Sequence, residues 1–168
     1  SGARDREARR SAALFLKGAS RHRIIVKKFR DGFFPSHVAA IKLVFEQLKG
    51  SVKPDLVLTH YRDDRHQDHR VLSDLAWNTW RDHMILEYEI PKYDGDLGVP
   101  NLFVPIDRDT CDRKIELLNT VFASQGDKHW IDGETFRGLM RLRGMECRSR
   151  GGYAEAFYAR KCTLGWQR

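Results

Sequence analysis

The apolar positions change their spacing several times along the chain, and the changes mark out its elements. Ala8, Ala12, Ala13 and Leu16 recur at helical spacing and predict a first helix over 5–17. After Gly18, Arg23-Ile24-Ile25-Val26-Lys27 is a short β-branched run that predicts a strand. Phe29 to Pro35 carries an Asp-Gly pair and a proline and predicts a loop. Ser36 is the expected N-cap of a helix whose Val38, Ile41, Phe45 and Leu48 share one face, with Gly50 closing it. Asp55 to Thr59 is a compact apolar strand, a helix is expected over 70–81, and Met84 to Ile90 is a strand ended by Pro91. A long loop rich in Gly and Asp spans 91–100, and Leu102 to Pro105 is a short extended piece. Two more helices are predicted, over 109–124 from Ile115, Leu118 and Phe122, and over 134–143. Strands alternating with helices at these intervals predict an α/β domain with a mainly parallel sheet, a single domain over 1–168.

Composition narrows the class. Apolar residues make up 41% and charged residues 32% of 168, with no uninterrupted apolar run long enough for a membrane span, so a globular domain is expected. Cys111, Cys147 and Cys162 lie far apart and form no CxxC pair, which argues against a disulfide framework or a zinc ribbon. With no signal-peptide pattern at the start, free thiols point to a cytoplasmic protein. The net charge of +7 invites nucleic acid as a partner, and basic residues crowd the first thirty positions and the last third. No zinc finger, RNP-type aromatic signature or helix-turn-helix accompanies them, so solvated helix faces explain the charge better.

Candidate chemistry concentrates in one loop. In an open parallel sheet, ligands collect beyond the carboxyl ends of strands. The segment after the strand ending at Thr59 reads His60-Tyr61-Arg62-Asp63-Asp64-Arg65-His66-Gln67-Asp68-His69. Its DxHxDH spacing gathers two imidazoles and two carboxylates in one turn entering a helix. Imidazole is the commonest zinc ligand, and a neighbouring carboxylate can fix its tautomer.

Pro54-Asp55-Leu56-Val57-Leu58-Thr59-His60, followed by Asp64-Arg65-His66-Gln67-Asp68-His69-Arg70, resembles the core motif of the LmbE / PIG-L family of zinc-dependent N-deacetylases. Arg4-Asp5-Arg6-Glu7, Phe29-Arg30-Asp31-Gly32, Ser124-Gln125, Arg143-Gly144 and Tyr153-Ala154-Glu155-Ala156-Phe157 resemble further family motifs in the same order. The resemblance implies a Rossmann-like three-layer fold and hydrolysis of the N-acetyl amide of an N-acetylglucosamine-containing glycoside or glycolipid, with Zn²⁺ or Fe²⁺ as cofactor. It implies His69 as metal ligand and His66 as the group that stabilises the oxyanion or donates a proton. It gives Asp68 the task of orienting an imidazole, sets Asp64 at the site edge, and turns Arg4 and Asp31 towards the sugar. Ser124-Gln125 and Glu155 are expected to be structural.

The family's HPDD loop, which carries its other metal ligands and general base, has no counterpart here. Tyr93-Asp94-Gly95-Asp96 and Asp63-Asp64 have the wrong flanks and position. The expectation is therefore a domain lacking its first βαβ unit, roughly 30 residues. Alternative readings are a metal-deficient relative that binds glycans, and a hydrolase of metallo-β-lactamase type, whose HxHxDH differs at one place but belongs to a β-rich sandwich.

Overall fold

The computed structural model describes residues 2–122, 131–162 and 165. In chain order the elements are α1 (Gly2–Phe15), a 3₁₀ turn (Phe34–His37), α2 (Val38–Ser51), β1 (Leu56–His60), α3 (Gln67–Trp80), β2 (Met84–Tyr88), β3 (Leu102–Ile106), α4 (Arg108–Val121), α5 (Gly133–Glu146) and β4 (Tyr153–Ala159). The class is α/β, with one four-stranded sheet in the order β1-β2-β4-β3. Among the described residues no helix is long and apolar enough to cross a membrane.

The chain divides into two compact units, one of residues 29–103 and 156–168, the other of 1–28 and 104–155. In the first, β1 runs parallel to β2 with His60 opposite Tyr88, and β2 pairs antiparallel with the carboxyl half of β4. Ala76 and Trp80 of α3 close on Ile85, with Phe45, Leu48, Val57 and Trp77 packed around them. The apolar period expected for α2 thus meets that of α3 over one face of the sheet. In the second unit, α4 and α5 pack on each other and enclose Cys111, Ile115 and Met140, and α1 rests on α4. Both helices start on an aspartate cap: Asp107 accepts from the Thr110 N–H at 2.7 Å, and Asp132 from the Thr135 N–H at 2.7 Å.

Four expectations change. The β-branched run 23–27 forms no strand, because among the described residues nothing hydrogen-bonds to it, and β propensity acts only through pairing. Ser36 caps nothing: Pro35 sits at the start of the 3₁₀ turn, so the chain coils before reaching Ser36, and α2 begins after His37. β4, whose Ala154 and Ala156 point inward in strict alternation, was expected only as a motif. Finally the sheet is mixed rather than mainly parallel. Two successive helices, α4 and α5, separate β3 from β4, and the second reverses the chain once more. The β-rich sandwich that a metallo-β-lactamase type would need is not what these residues form.

Two glycines are set by geometry. Gly144 is buried where a Cβ would fall on the Gly152 carbonyl, which accounts for glycine after Arg143. Gly32, at φ +81°, turns the chain in the left-handed region that glycine enters without steric cost.

A histidine and aspartate cluster at the start of α3

β1 ends on His60 and α3 begins at Gln67, so the intervening loop leaves the carboxyl edge of the sheet and enters a helix. The loop is fastened from several sides. Glu87, buried on β2, accepts the Arg62 N–H at 3.0 Å and is itself paired with Arg160, just beyond β4. The Arg70 guanidinium donates to the Asp64 carbonyl at 2.9 Å and to that of Arg65 at 2.6 Å. Asp96 accepts the Arg65 N–H at 2.6 Å.

Three imidazoles result in one array. His60 and His69 are stacked with centroids 4.0 Å apart and planes at 5°, and His66 lies 4.5 Å from His69 at 28°. His60 is packed against Tyr88, whose Oη lies 3.4 Å from Nε2, while its Nδ1 is buried without a hydrogen-bond partner. Burial, and next the neighbouring His69, push His60 down to about 3, so it is a neutral imidazole with a lone pair to offer.

Asp64 is 3% exposed. Its Oδ1 accepts the His66 N–H at 2.8 Å and faces the Lys92 ammonium at 3.1 Å, and its Oδ2 meets His69 Nδ1 at 2.8 Å. Burial alone would raise its pKa, but the bonds from His69 and His66, with Lys92, hold it at about 2. An ionised carboxylate can only accept, so His69 Nδ1 carries the proton and, in the neutral ring, Nε2 is left as the free donor atom. His66 is the N-cap of α3 and accepts the Asp68 N–H on Nδ1 at 3.3 Å, which makes its Nε2 an N–H donor.

Asp68 is as buried as Asp64, but its carboxylate turns to another partner. It accepts the N–H of Gly32 at 2.6 Å and of Phe34 at 3.0 Å, and Gln67 donates to the Gly32 carbonyl at 3.0 Å. The contact between Asp68 and an imidazole therefore runs through its amide. These bonds bring the exposed Asp31 beside His66: ligand atoms of Asp31, His66 and Asp68 lie within 4.8 Å of one another. Arg4 stands exposed on α1, in the other unit. Glu155 is ion-paired with Lys114 of α4. Ser124 and Gln125 lie outside the described residues.

His60, Asp64 and His69 likewise offer ligand atoms within 4.8 Å of one another. With both Asp64 oxygens already bonded, the atoms left to a cation are the orphaned Nδ1 of His60 and Nε2 of His69, two imidazole nitrogens of the kind zinc takes. The buried carboxylates of Asp64 and Asp96 both face the Lys92 ammonium. His60 was legible as the first residue of the loop that follows the strand, but it was not among the expected site residues. Lys92 gave no signal beyond being a lysine among aspartates.

Residues 1–80 match the family model PIG-L: GlcNAc-PI de-N-acetylase. No curated protein matches the chain. Among solved structures it is similar to N,N'-diacetylchitobiose deacetylase from Pyrococcus horikoshii in complex with its inhibitor, at 18% identity and TM-score 0.61, covering 89% of this chain and 61% of that one. A conserved protein from Thermus thermophilus has 18% identity and TM-score 0.64 over 99% and 78%. The zinc-inhibited form of teicoplanin deacetylase has 16% and 0.55 over 83% and 57%. At these identities the likeness is one of fold, and this chain spans 61% and 57% of the length of the two deacetylases.

Proposed function

We propose, from the match of residues 1–80 to the PIG-L family model, that the chain is a zinc-dependent N-deacetylase. Its reaction is hydrolysis of the N-acetyl amide of an N-acetylglucosamine-containing glycoside or glycolipid, releasing acetate, and its place of action is the cytoplasm. The observation that carries this reading is the parallel stack of His60 on His69 with the Asp64 carboxylate behind His69. A carboxylate bonded to the far nitrogen of an imidazole is the arrangement that orients metal-binding histidines. His60 and His69 would hold the ion. The chemistry zinc supplies in such a site is a water of lowered pKa and a polarised carbonyl.

The remaining roles follow from what each side chain is bonded to. With Nδ1 committed to the Asp68 N–H, His66 presents Nε2–H, the donor that a developing oxyanion or a leaving amine needs. Asp64 and Asp68 each accept two N–H groups, which makes them firm anchors. Asp64 positions His69, and Asp68 positions the turn that bears Asp31. Asp31, exposed beside His66, is suited to a sugar hydroxyl.

The test is acetate release from N-acetylglucosaminyl substrates by zinc-loaded protein that also carries an HPDD-type loop ahead of residue 1, with metal content measured in parallel. About one zinc per chain is expected, with His69→Ala and His60→Ala each lowering it. A zinc-loaded protein that releases no acetate, with zinc content unchanged in His69→Ala, would overturn the assignment.

A further inference from the structure

Lys92 lies in the loop after β2, 8% exposed, with its ammonium 3.1 Å from Asp64 and in contact with Asp96, which is 5% exposed. Asp94 is 4.0 Å away. The cavity edged by Tyr61, Asp64, Glu89, Lys92 and Asp96 leaves no room for a water molecule, so these charges meet directly and are screened little. Lys92 and Asp96 are tied back as a unit: Asp96 accepts the Arg65 N–H, and the same loop is pinned by the Gly98 N–H to Tyr158 Oη at 3.0 Å. Tyr158 in turn donates to Glu89 at 3.1 Å and stacks on Tyr61 with centroids 3.9 Å apart.

Lys92 takes Oδ1 of Asp64 together with the His66 N–H, and this leaves Oδ2 for His69 alone. Remove the ammonium and the carboxylate loses the charge that neutralises it and one of the two contacts on Oδ1, the other being the His66 N–H. The aim of Oδ2 at His69 Nδ1 then rests on that single bond.

We infer that Lys92 is a positioning residue: through Asp64 it fixes the tautomer and orientation of His69, and through Asp96 it locks the 91–100 loop against the metal-binding loop. The effect on the metal rests on the zinc-hydrolase reading of the site, whereas the effect on His69 does not.

Lys92→Met keeps the length of the side chain and removes the charge, and Lys92→Arg keeps the charge. In metal-free protein, long-range ¹H–¹⁵N spectra of the imidazoles should show His69 as the Nδ1–H tautomer in the wild type and in Lys92→Arg, and as a tautomer mixture in Lys92→Met. In chelator-competition titrations with Zn²⁺ alone, Lys92→Met should bind about 10-fold or more weakly, the size seen when a residue behind a metal ligand is lost, with Lys92→Arg closer to wild type. Asp96→Asn, which loosens Lys92 without removing it, should fall between them and serves if Lys92→Met does not fold. A His69 tautomer unchanged in both Lys92→Met and Asp96→Asn overturns the inference. Should the wild type take up no zinc, the metal reading fails by itself, and the tautomer still decides the role of Lys92.

Discussion

Replacing Asp68 by Asn separates holding the site together from doing chemistry in it. The carboxylate accepts two backbone N–H groups, at 2.6 and 3.0 Å, from a turn more than thirty residues away in sequence. Hydrogen bonds to a charged acceptor contribute about 1.5–3 kcal/mol each. The negative charge in the first turn of α3 adds roughly 0.3–1 kcal/mol. Asn keeps the shape and one acceptor oxygen but sets an NH₂ against the other N–H donor. The expected loss is therefore about 3 kcal/mol, and for Asp68→Ala about 3–5 kcal/mol. For a chain of this size that is a fall in Tm of roughly 6–12 °C for Asp68→Asn. The measurement is thermal and urea unfolding in EDTA, so that altered metal uptake cannot mimic the effect, with amide exchange at Gly32 and Phe34 followed by NMR. A Tm within about 1 °C of wild type, with both amides still protected, would refute the anchoring role.

Gly144→Ala drives a Cβ into the Gly152 carbonyl at a buried position and should destabilise by about 3 kcal/mol, read as a lowered urea midpoint at unchanged slope. Arg148 holds φ +54°, a left-handed conformation costing a side-chain-bearing residue about 1–2 kcal/mol, so Arg148→Gly should stabilise slightly despite the entropy of glycine, a rise of about 1–2 °C in Tm. Asp107 and Asp132 are held below their ordinary value of 3.8, Asp107 first by the Thr110 hydroxyl and Asp132 first by the Thr135 N–H. A carboxylate lowered in the folded state adds stability above its unfolded pKa and loses it as pH falls through the folded one. Unfolding midpoints of Asp132→Asn should accordingly depend less on pH than wild type between about pH 5 and 2. An identical pH slope would remove the cap from that account.

The strands β1 and β2 and the five helices among the described residues were legible because each carries its own period or punctuation, from Ala8 and Ala12 in α1 to Pro91 closing the β2 region. The run 23–27 misled because local preference says nothing about whether a neighbouring strand is there to pair with. Within the site, the loop and its imidazoles followed from spacing alone. What each carboxylate does could not follow, since Asp64 and Asp68 are the same residue type four positions apart. Their assignments depend on Lys92, Gly32 and Phe34, none of them near in sequence.

Those remote partners bear on how the protein acquires its site. The bonds that complete it span 36, 34 and 31 residues. A peptide of residues 60–69 would hold every imidazole and neither outside anchor, so its rings should wander. The entropy of closing such loops is met only when the chain from the Gly32 turn to Asp96 has come together, and it grows slowly with length, about 0.6 kcal/mol per doubling. Insertions between the turn and β1 should then alter the speed of folding more than its endpoint. Alignment of the three rings is in this sense a late event, and their ordering in an NMR experiment would report that the whole unit of residues 29–103 has folded.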